Sequence, residues 1–199
     1  MASGNGSNLQ AIIEACASGD LDARVAGVIC DQPGAYALQR AALAGIPTQV
    51  LRWQTYREQG RDRRAYDSDL AGLVRSFSPD WIVLAGWMRL LSSAFLDDFP
   101  MKVINLHPAL PGTFPGTHAI QRAWNDYKAG ILQSTGVMVH FVPDEGVDSG
   151  PVITHQVVTI GPEDTLDILT ERIHRVEHGL LVSALRSLTS TPLQSQPVS

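Results

Sequence analysis

Hydrophobic and polar positions follow two different rhythms along this chain. Near-continuous apolar runs, "ARVAGVIC" (residues 23–30), "WIVLAG" (81–86) and "KVINLH" (102–107), are short and rich in valine and isoleucine. Such runs suit strands buried on both faces of a parallel sheet. Between them lie stretches with helical spacing, at residues 8–18, 35–44 and 63–77. Gly45 with Pro47 stops the second and Pro79 stops the third. Strands alternating with helices of this length predict βαβ units. The expected fold class is α/β: an open, mostly parallel, Rossmann-like sheet with helices on both faces.

The pattern changes after residue 130. "STGVMVHFV" (134–142) alternates, with Val137, Val139 and Phe141 on one face and Met138, His140 and Val142 on the other. "PVITHQVVTI" (151–160) follows after a loop. These two read as neighbouring, antiparallel strands near the C-terminal side of the sheet. A long helix is expected from about Asp164 to Leu188, with Leu166, Leu169, Ile173 and Val176 at helical spacing. One catalytic domain over residues 1–186 is predicted. "SLTSTPLQSQPVS" (187–199) is small, polar and proline-bearing, so it reads as a disordered tail.

Composition narrows the classes of function. The 199 residues suffice for one domain with a substantial core. No apolar run approaches the roughly 18 residues of a membrane helix, and no secretory leader is visible, so a cytoplasmic protein is expected. The net charge of −5, with no basic stripe, argues against nucleic acid as the main partner. The two cysteines, Cys16 and Cys30, have neither metal-site nor disulfide spacing and read as core residues.

Four stretches carry candidate chemistry. "SGNGSNLQAII" (3–13) runs glycines into an amphipathic helix, whose unpaired N–H groups and partial positive charge suit an anion. It is neither a Walker A loop nor a dinucleotide fingerprint, and a capped surface turn is the alternative. "NLHPALPGTFPGTHAI" (105–120) places Asn105 and His107 where a buried strand ends, at the crevice where open α/β sheets bind ligands. An amide can donate to a developing oxyanion, and an imidazole can move a proton. "PDEGVDSGPV" (143–152) offers acids that could orient His107 and favour its charged form. "LAGWMRLL" (84–91) puts Trp87 and Met88 at the same edge, as pocket lining or as core. His174 and His178 lie i,i+4 on the last helix, but no third metal ligand is evident. No serine elbow exists and neither cysteine has a nearby histidine, so a covalent nucleophile has little support.

With those residues in view, the chain resembles the folate-dependent phosphoribosylglycinamide formyltransferases. The matching stretches are "SGNGSNLQAII", "RRAYD", "LAGWMRLLS", "NLHPAL…FPGTHA", "VHFV", "DEGVDSGPVI" and "RIHRVEH", in family order up to about residue 185. The resemblance implies formyl transfer from 10-formyltetrahydrofolate to the amine of glycinamide ribonucleotide in de novo purine synthesis, without a metal. It implies a catalytic trio of Asn105, His107 and Asp148, and a 5′-phosphate cradle of Gly6, Ser7 and Asn8. It assigns Arg63, Met88, Arg89, Leu90, Leu91, Asn105 and Asp144 to the folate site, and Glu177 to the glycinamide substrate. A monomer or weak homodimer is expected, binding these two small molecules and neither nucleic acid nor membrane.

Three departures stand out. "HPALPG" replaces the family's usual "HPSLLP", with Ala109 in place of serine. "DEGVDSG" is one residue longer than "DELDGG"; register with Gly150-Pro151 gives the catalytic role to Asp148 rather than Asp144. Only Met1 and Ala2 precede the phosphate loop, where the family has an apolar strand, so the first strand is expected to be truncated. On that reading the natural chain starts several residues upstream, and the sequence as it stands folds poorly or binds phosphate weakly. Rival readings are a formyltetrahydrofolate hydrolase, a methionyl-tRNA formyltransferase and a non-catalytic folate- or nucleotide-binding module. The first two need further domains, and the intact trio argues against the third.

Overall fold

A computed structural model describes residues 1–190. The elements, in chain order, are α1 (Ser7–Ser18), β1 (Val28–Cys30), α2 (Tyr36–Leu43), β2 (Thr48–Val50), α3 (Trp53–Glu58), α4 (Arg63–Ser76) and β3 (Ile82–Leu84). There follow α5 (Ser93–Leu96), β4 (Val103–His107), α6 (Ala119–Lys128), β5 (Ser134–Phe141), β6 (Val152–Thr159) and α7 (Leu166–Ser190). The α/β alternation is as expected, but the early apolar runs yield three-residue strands. β2, α3, α5 and α6 had no separate signal. The expected tail begins too early, because residues 187–190 form the last turn of α7; residues 191–199 lie outside the described part.

β1 pairs with β2 and β3 with β4, both in parallel. β5 lies antiparallel to β4 and to β6, so two antiparallel strands close the C-terminal side. Alternate residues of β4 enter different cores, as strand geometry requires. Ile104 and Leu106 pack with Ile12, Val137, Leu169 and Ile173 beneath α1 and α7. Val103 packs with Tyr66, Leu70, Phe95 and Ile82 beneath α4 and α5. Helices therefore cover both faces. α4 starts where the Asp62 carboxylate accepts from the Ala65 N–H at 2.9 Å. α7 aligns Leu169, Ile173, Glu177, Leu181 and Leu185 in one buried stripe. Cys16 and Cys30 are free, and burial raises both thiol pKa values.

Residues 1–3 join the two halves of the sheet. The Met1 amine donates to the Val83 carbonyl (2.7 Å) and the Ala85 N–H donates to Met1 (2.9 Å). The Ala2 N–H donates to Ile29 at 3.0 Å, bridging to β1. Residues 1–3 thus run between β1 and β3 with a single bridge, Ala2 to Cys30. Below it lies a cavity of about 510 Å³, lined by Met1, Gly27, Phe77, Trp81, Leu185 and Leu188 among others. Val28 and Cys30 turn their backbone groups to the β2 side, and Ile82 turns to β4. By alternation, the Ile29 and Val83 N–H groups and the Gly27 and Trp81 carbonyls face the cavity. Two backbone positions ahead of Met1 would meet all four. Burial also pushes the Met1 amine down from 8.0 to about 6, against a small opposing pull from Cys30.

An apolar extension of Val-Ile-Val ahead of Met1 is expected to add roughly 2 kcal/mol, because the apolar area it buries in the cavity comes on top of hydrogen bonds that roughly offset the ordering entropy. That is about 4–8 °C in Tm for a domain of this size. A Gly-Gly-Gly extension should give less, since it leaves the cavity unfilled. Because the amine's folded pKa lies below its unfolded value, its contribution is complete above pH 8.0 and is lost as pH falls toward about 6. Both extensions should remove that pH dependence. Thermal melts of the three proteins between pH 6 and 8 check this, and equal Tm for all three would refute it.

Candidate active site

Strand β4 delivers two polar side chains to the end of the sheet. Asn105 pairs across with His140 of β5, and His107 pairs with Met138. The chain then turns sharply, with the Ala109 N–H donating to the His107 carbonyl at 2.9 Å. Ala109 is fully buried. Leu110 lies where a Cβ on Gly136 would run into it, so the "HPALPG" segment packs directly on β5.

Asp148 meets these residues from the β5–β6 loop. Its Oδ1 accepts from Asn105 Nδ2 at 3.0 Å, and its Oδ2 accepts from the Gly116 N–H at 2.8 Å. His107 Nδ1 lies 3.2 Å from Oδ2. The backbone at Asp148 is left-handed (φ 49°), and a Cβ on Gly150 would strike the Phe141 carbonyl. This tight crossing aims the carboxylate inward. Asp144 instead accepts from the Gly146 N–H within its own turn, at 2.8 Å. The longer loop therefore brings Asp148, not Asp144, to Asn105 and His107.

Charge and burial pull His107 in opposite directions. Burial lowers its pKa, while Asp148 and the Phe114 carbonyl, 3.0 Å from Nε2, raise it. Burial wins, so His107 titrates below the ordinary value of 6.5. Asp148 favours the charged imidazole, as expected, but does not make it the resting state. For Asp148 itself burial would raise the pKa, yet the neighbouring His140 ring, the hydrogen bond from the Gly116 N–H and the nearby His107 hold it below 3.8. The acid stays ionised.

The phosphate-loop candidates sit at the start of α1. Gly6 caps the helix in the left-handed region (φ 75°), without a side-chain hydrogen bond. A Cβ there would come within 2.7 Å of Ala37, so glycine is needed twice over, for conformation and for close approach. Arg40 of α2 holds the loop from outside, donating to the Asn5 carbonyl at 2.9 Å and to its side chain at 3.1 Å. Asn8 Oδ1 is buried without a hydrogen-bond partner.

The formyl transferase family model matches residues 1–185. This chain belongs to that family. It is 45% identical to a phosphoribosylglycinamide formyltransferase of Dictyostelium discoideum, over 94% of this chain and 95% of the relative. It is 43% identical to the Schizosaccharomyces pombe protein of that name, over 94% and 93%. The crystal structure of phosphoribosylglycinamide formyltransferase from Bacillus halodurans is similar, with a TM-score of 0.88 at 37% identity, covering 98% of this chain and 97% of that one.

The formyl transferase match covers the remaining predicted residues, which the structure distributes as follows. Met88 and Leu90 are exposed, whereas Leu91 is buried against the core around Phe95. Arg89 donates to the buried Asp31 carboxylate at 2.7 Å. The Met88 N–H donates to the Ser3 hydroxyl at 3.0 Å, tying this loop to the phosphate loop. Arg63 donates to Glu145 at 2.8 Å, and Glu145 also accepts from the Ser93 N–H at 2.9 Å. Arg63 thus anchors the β5–β6 loop through Glu145, and Asp144 does not share in that anchor. Glu177 is buried on α7, near enough to His107 for its charge to raise that histidine's affinity for a proton.

Sequence reasoning missed His140. Its Nε2 lies 3.2 Å from Asn105 Nδ2 and 3.5 Å from Asp148 Oδ1, while Nδ1 faces the Phe141 carbonyl at 2.8 Å. A neutral His140 must carry its hydrogen on Nδ1, which leaves Nε2 to accept from Asn105. Only the β4–β5 register pairs these two residues, and periodicity does not encode register.

A buried neutral histidine makes the fold acid-sensitive. The unfolded chain takes up a proton near pH 6.5, whereas folded His107 resists it, so His107's contribution is complete above 6.5 and falls as pH drops below. Replacing His107 with asparagine is expected to flatten the loss of stability just below pH 6.5. Urea denaturation at stepped pH checks this, and an unchanged slope would refute it.

Proposed function

We propose that this formyl transferase moves a formyl group from 10-formyltetrahydrofolate to the amine of glycinamide ribonucleotide, a step of purine synthesis. The observation that carries the reading is Asp148, bonded at the end of β4 to Asn105 and lying against His107. The relatives' names carry the acceptor and the formyl group, the folate donor is part of the proposal, and the site supplies a chemistry that suits both.

The acceptor amine attacks the formyl carbon, whose oxygen takes the negative charge of a tetrahedral intermediate. Asn105 Nδ2 donates in the free protein to Asp148 and His140, and one of these N–H groups turns to the new oxyanion. His107, once protonated, stabilises that oxygen and supplies a proton as the folate N10 departs. Its depressed pKa makes it a ready proton donor. The attacking nitrogen loses one proton, which Asp148 helps to relay, and N10 gains one, so the exchange balances. No covalent enzyme intermediate is needed. Gly6, Ser7 and Asn8 hold the 5′-phosphate at the α1 N-terminus, whose unpaired N–H groups suit an anion. Arg63, residues 88–91 and the Asp144–Asp148 loop receive the folate. Glu177 meets the glycinamide amine.

The test is a spectroscopic assay with 10-formyl-5,8-dideazafolate, with and without glycinamide ribonucleotide. Formyl loss that needs the ribonucleotide supports the reading, whereas equal loss to water marks a hydrolase instead.

His107→Ala is expected to lower kcat by roughly two to four orders of magnitude, the range for a positioned acid or base. Asn105→Ala should cost on the order of a hundredfold or more. Retention of more than about a tenth of wild-type turnover by His107→Ala would overturn this assignment.

Asp148→Asn is expected to cut turnover far more than Asp144→Asn. A larger loss at Asp144, measured in the same assay, would place the catalytic acid on the wrong side of the loop.

A further inference from the structure

The histidine pair on the last helix, His174 and His178, has no part in the mechanism above. The structure gives the first of them a partner. Glu177 is the charged member of α7's buried stripe, where its side chain is only 7% exposed. A carboxylate in such a place needs a hydrogen-bond partner to offset its lost hydration. His174, one turn earlier on the same helix, puts Nδ1 2.7 Å from Glu177 Oε2. Residues three apart on a helix lie side by side, so this bond follows from helical geometry.

We propose that His174 is a positioning residue for the acceptor: it fixes one oxygen of Glu177 so that the other meets the amine beside His107. This rests on the formyl-transfer reading above. A glutamate side chain has three rotatable torsions, and its carboxylate wanders unless something holds it. The imidazole is half exposed whereas the carboxylate is enclosed, so the histidine reaches inward from the surface to a buried group. Glu177 shares the buried stripe of α7 with Leu169, Ile173 and Leu181, which pack with Ile104 and Leu106 of β4, the strand that carries Asn105 and His107. The same bond to Glu177 lets His174 hold its proton above the usual pH, as a donor engaged by a carboxylate should. An acceptor amine needs its N–H groups held by an oxygen acceptor so that its lone pair points at the formyl carbon. A fixed Glu177 oxygen meets that need, and a loose one meets it only part of the time.

The experiment uses the full chain and three variants, His174→Ala, His174→Gln and Glu177→Gln. Initial rates are measured with glycinamide ribonucleotide and 10-formyl-5,8-dideazafolate varied independently, and ribonucleotide binding is measured by calorimetry. His174→Ala is expected to raise the acceptor KM and Kd about tenfold, or about 1.4 kcal/mol, the size of one hydrogen bond to a charged group. Donor KM and kcat should stay within about twofold, because no group that touches the reacting atoms has been removed. His174→Gln, whose amide can still donate to Glu177, should recover most of the loss. Glu177→Gln should match or exceed the alanine variant on acceptor KM. An acceptor KM and Kd unchanged in His174→Ala would overturn the proposal. So would a uniform loss in both KM values, kcat and Tm that glutamine does not rescue, because that is the mark of a structural role. If the wild type binds the ribonucleotide without formylating it, the functional reading fails and the calorimetric comparison still decides on His174. If the wild type does not bind it at all, both fail.

Discussion

The Asp148 carboxylate is the constraint on which the site depends. It is nearly buried, stays ionised, and meets Asn105 Nδ2, the Gly116 N–H and two imidazoles. A buried charge of this kind holds only when hydrogen bonds replace the water it has lost. The four groups come from β4, from the loop after it and from β5, and the acid comes from the loop between β5 and β6. One carboxylate therefore fixes four segments against each other. Removing it would leave the Asn105 amide, the Gly116 N–H and His107 Nδ1 without their shared acceptor, a costlier defect than an empty space.

The sheet places this acid where it can act. β4 is the strand at which pairing changes from parallel, with β3, to antiparallel, with β5. On its parallel side the neighbouring strands end in loops that carry the phosphate-loop and Arg89 segments. On its antiparallel side β5 returns, and its register sets His140 opposite Asn105. The phosphate-loop candidate and Arg89 thus lie on one flank of β4 and His140 on the other. α7 closes the arrangement by bringing Glu177 toward His107 from outside the sheet.

The long-range logic of the fold was legible in the sequence because burial on two faces leaves a plain signature. Ile82 to Leu84 is apolar without interruption, Val103 to His107 is apolar but for Asn105 and His107, and both are strands. β2 was not legible because all three of its residues are exposed, so no apolar pattern marks it. α5 has four residues, too short to show a helical period, and α3 has six. Asn105 and His107 stood out by ending an apolar run in polar residues. Asp148 emerged only from register with Gly150, and the structure shows why that glycine matters: the Phe141 carbonyl leaves no room for a side chain. His140, the Arg63–Glu145 tie and the His174–Glu177 bond depend on tertiary proximity or on rotamers, which single-residue patterns do not carry.

Stability and chemistry occupy opposite ends of the sheet. The cavity under Met1 lies at the N-terminal ends of β1 and β3, whereas Asn105, His107 and Asp148 meet at the C-terminal end of β4. Parallel strands make that division natural, because ligands bind beyond their carboxyl ends and the other ends serve packing. The stub formed by residues 1–3 sits between the two. Its upper end leads straight into the phosphate loop, with the Ser3 N–H donating to the Gly86 carbonyl at 3.0 Å and the Ser3 hydroxyl accepting from Met88. Its lower end borders the cavity and carries the buried amine. A change in the packing below the stub therefore acts on the stability of the fold. It reaches the reacting groups only by way of the phosphate loop, which Arg40 and the contacts of Ser3 hold in place independently.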